Sequence, residues 1–317
     1  MKTAVLNILL FWVVIGIYSC NDTVNPNAPF RERFILNGII RNDTSYQVIT
    51  LSHSYQPGNF DPLSYKTDPA VVDAEVNIYY KNELFHMRDT SIARTDTSHY
   101  TTPLHFYYND QLKPEPNEDI EIDALLPNGL LLQSLTTTPD IRQPGFFDPK
   151  SDSLISKQSG AEIEVSWRDL GGNIYAPDIY IAYFLKGDTT EYHKKLPLYY
   201  FTNSNGSDEP VYASPSKSNT IYLDKATIEK TLFDIIPEGA DTADYSVTKI
   251  VIDLSVYDKF ISKYYSSIQQ GLDNFTVKLD IPDYTNVKGG FGIFGSEFRT
   301  SFSIKFDFNY LRSLGFR

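Results

Sequence analysis

Short runs in which apolar and polar residues alternate are the feature that most constrains this chain. In the stretch EDIEIDALLPNGLLLQSL, Ile120, Ile122 and Ala124 share one face, the letters PNG supply a turn, and apolar residues return after it. A period of two is typical of a strand with one buried face, whereas a helix repeats every 3.6 residues. The stretch therefore predicts a β-hairpin.

The same pattern recurs along the first half of the chain. The runs RFILNGII (33–40) and SYQVITLSHS (45–54) are separated by four polar residues, and AEVNIYYKNELFHM turns at Lys81-Asn82. Short strands at this spacing indicate a β-sandwich. The 23 tyrosines and 20 phenylalanines of the chain agree with this, because aromatic residues favour half-buried sheet positions.

A second β domain is predicted after residues 138–152, a segment that contains three prolines. Its first strand is AEIEVSWRD, which ends near Trp167, where a fibronectin-type sandwich buries a tryptophan. PDIYIAYFLK is predicted as its neighbour, FTNSNGSDEPVYASPSKSN as an irregular polar loop, and TKIVIDLSVY and FTVKLDIP as further strands.

Two short helices are predicted within the second domain. One begins at Asp224, a residue type that suits an N-cap, and runs to Ile236 before a proline. The other covers about 256–271 and has an apolar stripe made of Tyr257, Phe260, Ile261, Tyr264 and Ile268. The predicted fold is mainly β, with two β-sandwich domains and two short helices in the second.

The start of the chain predicts a secretory signal. Lys2 precedes an apolar core from Ala4 to Ile17, which is shorter than the roughly 20 residues that a transmembrane helix needs. Ser19 is followed by Cys20, the only cysteine in the chain. The letters IYSC resemble the bacterial lipobox, in which a lipid is attached to the cysteine and cleavage leaves that cysteine as the new N-terminus.

We therefore predict a lipoprotein signal peptide at 1–19, lipid attachment at Cys20 and a flexible tether over 20–31. An ordinary signal peptide with a chance cysteine, or an uncleaved anchor, is the alternative. The single acidic residue near the cysteine, Asp22, does not decide which side of the outer membrane holds the anchor.

The charge of the chain argues against nucleic acid as a partner. The formal net charge is −12, and no run rich in lysine or arginine stands out. Phosphate backbones and anionic lipid surfaces repel such a surface.

The sequence lacks the common catalytic motifs. The glycines of GFGIFG match the spacing of a dinucleotide-binding turn, but the residues after them, SEFRTSFSIKFDF, alternate as a strand rather than opening a helix. No G-x-S-x-G elbow is present, and one cysteine rules out a sulfur-ligated zinc site. The five histidines have no metal-ligand spacing, and each is expected on a loop or strand surface. They are His53, His86, His99, His105 and His193.

Carboxylates leave two hypotheses open. The 40 Asp and Glu residues could supply a glycosidase pair anywhere in the chain. Asp119, Glu121 and Asp123 lie on one strand face and could bind calcium, although the solvated face of a sheet shows the same alternation. We predict no catalytic residue, no cofactor and no metal.

The C-terminal segment DYTNVKGGFGIFGSEF, preceded by a tyrosine-rich helix, resembles the signature of the Bacteroidetes lipoproteins called domain of unknown function 4249. DPAVVDAEVNIYY resembles that family's strand in the first domain, and SHYTTP (Ser98–Pro103) resembles the strand after it. The family motif, which we expect to be structural, matches Asn286, Gly289, Gly290, Gly292, Phe294 and Gly295.

The resemblance implies an immunoglobulin-like domain at 32–140 and a fibronectin type III-like domain at 141–317. It also implies a TonB-dependent outer-membrane receptor as partner, because genes of the family tend to accompany those of such receptors. It supplies no catalytic residue, because the biochemical role of the family is unknown.

The leading hypothesis is a lipid-anchored accessory or binding lipoprotein at the outer membrane or cell surface that assists a TonB-dependent receptor in nutrient capture. A hydrolase acting on polymers and a structural or adhesive module are the alternatives. Aromatic residues on polar loops are candidate ligand contacts, although we favour their packing inside the second sandwich. They are Tyr199, Tyr200, Phe201 and Tyr212.

Overall fold

The computed structural model of the protein describes residues 30–56, 65–142, 147, 154–270 and 284–316. The predicted signal peptide, Cys20 and most of the predicted tether lie outside these residues. The strand predicted at FTVKLDIP and much of the predicted domain boundary at 138–152 also lie outside them, so these remain predictions.

Within residues 30–56 and 65–142, the first half forms seven antiparallel strands, ordered β1-β2-β5-β4-β3-β6-β7. They are β1 (Phe34–Arg41), β2 (Gln47–His53), β3 (Glu75–Tyr80), β4 (Glu83–Ile92), β5 (Leu104–Asn109), β6 (Asp119–Leu125) and β7 (Leu131–Thr137). The three predicted hairpins, β1–β2, β3–β4 and β6–β7, are confirmed. Lys81 and Asn82 have φ of 50° and 62°, as a two-residue hairpin turn with a right-handed strand twist requires.

The described residues of the second half form nine strands: β8 (Leu154–Ile155), β9 (Glu162–Ser166), β10 (Ile174–Leu185), β11 (Tyr192–Lys195), β12 (Tyr199–Thr202), β13 (Asp208–Val211), β14 (Thr220–Asp224), β15 (Tyr245–Tyr257) and β16 (Phe294–Phe306). The pairing order β11-β10-β15-β16 forms one sheet, β14 pairs with β9, and β12 pairs with β13. The mainly β fold is confirmed.

One strand pairing, one loop and one strand were predicted wrongly. PDIYIAYFLK forms part of β10, which pairs with β11 and β15 rather than with β9, because alternation predicts a buried face and not its partner. The predicted polar loop contains the hairpin β12–β13, whose residues are largely exposed on both faces and so show no alternation. Ser98–Pro103 is a loop before β5 rather than a strand.

Three α-helices occur among the described residues: α1 (Lys225–Phe233), α2 (Lys259–Gln270) and α3 (Phe308–Ser313). Helix α1 begins after Asp224, as predicted, although it ends before Ile236. Helix α2 begins later than predicted, because Tyr257 still belongs to β15. Helix α3 was not predicted. Phe308, which the alternation assigned to a strand, lies in it because Asp307 caps the backbone N–H of Tyr310.

Two main cores fill the fold. The second core lies between β9, β10, β15 and the helices α1 and α3, and Trp167 is buried in a small cluster beside it, as predicted. The first core lies inside β1–β7, yet it also includes Val287 and Phe294 from the C-terminal part of the chain. Strand β16 pairs in parallel with β1, so that Gly38 faces Phe294, and the two halves therefore share one sheet of 12 strands.

Candidate functional site

An open groove lies between the hairpin β12–β13 and the outer face of β9 and β14. Its volume is about 640 Å³, which is within the range of ligand sites. We call it the tyrosine groove. Its lining residues are Glu162, Leu198, Tyr199, Val211, Tyr212, Ala213, Ser214, Ser216, Thr220, Ile221, Tyr222 and Asp224.

The floor of the tyrosine groove follows from strand alternation. Ile163 and Leu223 point into the second core, so their neighbours along each strand point outward. Tyr222 is 53% exposed. Glu162 and Asp224 are direct partners across the two strands, so both acidic residues lie on the same face of the pair, and both line the groove.

The wall of the groove is the hairpin β12–β13. The N–H of Asp224 donates to the carbonyl of Leu198 at 3.1 Å, which attaches the start of the hairpin to β14. Tyr199 is 49% exposed and Tyr212 is 41% exposed. The Lys195 ammonium lies 5.1 Å from the centre of the Tyr212 ring, within the range of a cation–π contact.

The hairpin is fastened to helix α1 by one lysine. Lys230 Nζ lies 3.8 Å from the centre of the Tyr200 ring and 2.9 Å from Asp208 Oδ2. The hydrogen bond from Lys230 lowers the pKa of the Asp208 carboxyl, and burial raises the pKa of the Tyr200 phenol. These contacts hold the wall in place without using the rings that face the groove.

The four aromatic residues proposed from the sequence as ligand contacts therefore have different environments. Tyr199 and Tyr212 line the groove, Phe201 is 59% exposed but outside its lining, and Tyr200 is held under Lys230. The favoured expectation that they pack inside the second sandwich was wrong for Tyr199, Phe201 and Tyr212. Tyr222 was missed, although alternation with Leu223 would have placed it on the outer face.

The chemistry of the tyrosine groove suits binding. Its lining offers phenol and aliphatic hydroxyls, two carboxylates and flat rings, and its described residues include no lysine, arginine, histidine or cysteine. The described lining therefore holds no nucleophile with an adjacent histidine base.

The family motif binds the two halves of the chain together. The side chain of Asn286 donates to the carbonyl of Phe294 at 2.6 Å and accepts from its N–H at 3.0 Å. Lys288 exchanges two backbone hydrogen bonds with Gln133 of β7, and Phe291 exchanges backbone contacts with β1. The motif thus lies between the first and last strands of the first half, which agrees with a structural role.

A second groove, of about 710 Å³, lies between β1, helix α2 and the motif. Its wall is mostly apolar and includes Tyr264, Tyr265 and Tyr284. Two of its polar side chains are already engaged by the motif backbone, since Asn37 accepts from Ile293 and Thr285 donates to the carbonyl of Gly292. Fewer polar groups are left here to orient a ligand than in the tyrosine groove.

The histidines and the acidic strand do not form a metal centre in the described part of the chain, where no three metal-ligating side chains converge. His105 Nε2 lies 2.6 Å from Asp89, and His193 Nε2 lies 3.0 Å from Glu191. On β6, Asp119 accepts a hydrogen bond from Thr137.

Comparison with known proteins identifies one matching protein family for this chain. The family described as Domain of unknown function (DUF4249) matches residues 21–301. No curated protein sequence matches the chain. The crystal structure of the FN1-FN3 domains of chicken CNTN1 is similar at 9% identity and a TM-score of 0.18. The alignment covers 84% of this chain and 64% of that chain.

Proposed function

This chain belongs to the DUF4249 family, and from that premise we propose that it is a lipid-anchored lipoprotein of the outer membrane that binds a ligand and assists a TonB-dependent receptor in nutrient capture. The family resemblance supports the location and the class of partner. The tyrosine groove supports a binding role.

The observation that carries the binding role is the exposure of three tyrosine rings around one groove. Tyr199, Tyr212 and Tyr222 present apolar faces to solvent, and flat rings with a hydroxyl bind ligands with little loss of side-chain entropy. The groove stands on β9, β14 and a hairpin held by helix α1, so these rings are positioned before a ligand arrives.

The anchor rests on the sequence around Cys20. None of the helices in the described part of the chain has the length and apolar character needed to cross a bilayer. A lipid on Cys20, followed by the polar segment up to residue 31, would hold the body near the membrane while leaving it free to contact a receptor.

The test is extraction of native membranes in mild detergent, followed by pull-down through a C-terminal tag. We expect one TonB-dependent receptor in near-stoichiometric amount with the wild type. The Cys20→Ala chain is the control, and we expect it to bring down much less receptor. A protein that leaves the membrane alone would contradict the accessory role.

One observation favours hydrolysis as a second candidate function. Glu162 and Asp224 are paired across β9 and β14, and glycosidases use two carboxylates. Asp224 Oδ2 already accepts hydrogen bonds from the N–H and hydroxyl of Thr227. This carboxylate is therefore held by the start of helix α1, and Glu162 is the better candidate for a proton-transferring group. Product release by the wild type, abolished in Glu162→Gln, would establish the enzyme instead.

A further inference from the structure

We propose that the tyrosine groove binds a neutral oligosaccharide, with sugar rings stacked on Tyr199, Tyr212 and Tyr222 and sugar hydroxyls donating to Glu162 and Asp224. This inference rests on the proposed binding function and names its ligand class. Three properties of the groove support it: the exposure of its rings, the acceptors on its floor and the distribution of charge.

The exposed rings match one face of a sugar. Tyr199 stands on the wall of the groove and Tyr222 on its floor, at 49% and 53% exposure. The apolar C–H face of a pyranose covers such a ring and removes apolar surface from water. Each phenol hydroxyl at the edge of a ring remains able to donate or accept a hydrogen bond.

The polar groups of the groove match sugar hydroxyls. A carboxylate only accepts hydrogen bonds, and a hydroxyl is the neutral donor that suits it. Glu162 is exposed. The cap of helix α1 uses Oδ2 of Asp224, which leaves Oδ1 as the acceptor that the proposal assigns to a ligand. Ser214 and Thr220 add hydroxyls along the same lining.

The charges of the lining residues argue against an anionic ligand. Among the described residues, the lining contains two carboxylates and no cationic side chain. The Lys195 ammonium beside the Tyr212 ring is paired with Asp178 at 3.4 Å, and the chain as a whole carries −12. A phosphate, a nucleotide or an acidic polysaccharide would therefore be repelled.

The charges also argue against a basic peptide. The Lys195 ammonium lies 5.1 Å from the centre of the Tyr212 ring. A cationic side chain of a peptide would compete with this ammonium group for the Tyr212 ring. A neutral polyhydroxyl ligand avoids both this competition and the repulsion of anions.

The test uses the full chain purified from membranes in a detergent without a sugar head group. Its migration would be measured in native gels that contain a neutral polysaccharide, with glucan, mannan and galactan each tested separately. Gels with polygalacturonate and titration with oligolysine provide the acidic and basic comparisons. We expect retardation by at least one neutral polysaccharide and by neither charged polymer.

Substitutions of groove tyrosines test whether the polysaccharide binds in the tyrosine groove. Tyr222→Ala and Tyr199→Ala are expected to weaken binding about tenfold each, because loss of one stacking ring costs roughly 1–1.5 kcal/mol. Tyr46→Ala is the matched control, because Tyr46 is 51% exposed and lies outside the groove lining. Its affinity should be unchanged. Thermal melts of all three variants would show that they remain folded.

Three results would overturn the proposal: no retardation by any neutral polysaccharide, binding of oligolysine or polygalacturonate alone, or equal loss of binding in Tyr46→Ala. The receptor pull-down is an independent readout. A chain that binds glycan without co-purifying a receptor contradicts only the accessory role, and a chain that brings down a receptor without binding glycan contradicts only the ligand class.

Discussion

At the scale of single residues, Gly292 shows why the motif contains glycine. Its φ is 107°, and a Cβ built on it would lie 2.0 Å from the carbonyl oxygen of Leu36. A side chain there would strain the backbone and push β1 away from the motif. We expect Gly292→Ala to lower the free energy of unfolding by at least about 1–3 kcal/mol, measured by urea denaturation.

Gly129→Ala is the control for Gly292. Gly129 has φ of 83°, but a Cβ there meets nothing within 4 Å. This variant carries the cost of the left-handed backbone without the clash. Equal destabilisation of the two variants would show that the close approach to Leu36 does not matter.

Asp258 is a second residue whose environment depends on the whole fold. It accepts hydrogen bonds from the Thr136 hydroxyl of β7 and, at 2.9 Å, from the Ser296 N–H of β16, and it also accepts from the first turn of α2. Burial raises the pKa of the Asp258 carboxyl, and the hydrogen bonds oppose that rise.

The raised pKa predicts a pH dependence. The folded protein holds the Asp258 proton to higher pH than the unfolded chain does. The stability that this group contributes is therefore fully present below the ordinary pKa of an aspartate and is lost as the pH rises through the raised value. Asp258→Asn cannot titrate, so its stability deficit relative to the wild type should shrink as the pH rises.

The measurement for Asp258 is urea denaturation of both proteins at several pH values from acidic to neutral. A deficit that grows with pH would mean that the hydrogen bonds outweigh burial and that the pKa is lowered.

At the scale of elements, Asp224 has two roles that substitution can separate. It ends β14 on the floor of the tyrosine groove and caps helix α1 through Thr227. Asp224→Ala removes the cap and should cost about 1 kcal/mol, whereas Asp224→Asn keeps a capping oxygen and should cost little. Both changes remove the charge from the groove.

Thermal melting tests the cap, and the gel assay tests the groove. A similar loss of stability in Asp224→Ala and Asp224→Asn would indicate that the charge of the carboxylate, and not the cap, stabilises the helix.

At the scale of the whole molecule, the C-terminal motif completes the first core. Val287 and Phe294 pack with residues of β1–β7, and β16 pairs with β1. The first half alone would leave that side of its core exposed to water. We therefore expect the full chain to unfold in one calorimetric transition, and a fragment ending at residue 142 to show no cooperative transition. Two separate transitions, or cooperative melting of the fragment, would contradict this coupling.

Local patterns were predicted well where one face of an element is buried. The hairpins β1–β2, β3–β4 and β6–β7 and the cap at Asp224 follow from alternation, turn residues and capping chemistry. The hairpin β12–β13 was missed because its residues are mostly exposed on both faces. Two residues of the tyrosine groove, Tyr199 and Tyr212, were proposed from the sequence as ligand contacts, whereas Tyr222 and Glu162 were not.

The sequence by itself determined that the chain is mainly β, where its chief hairpins turn and which residues the family motif contains, because each of these depends on neighbours close along the chain. Only the tertiary structure decided that β16 pairs with β1, that Phe294 enters the first core, and that Tyr199, Tyr212 and Tyr222 border one groove. These contacts depend on which buried faces meet across long stretches of chain. Alternation in the sequence predicts that a face is buried, but it does not predict which residues cover that face.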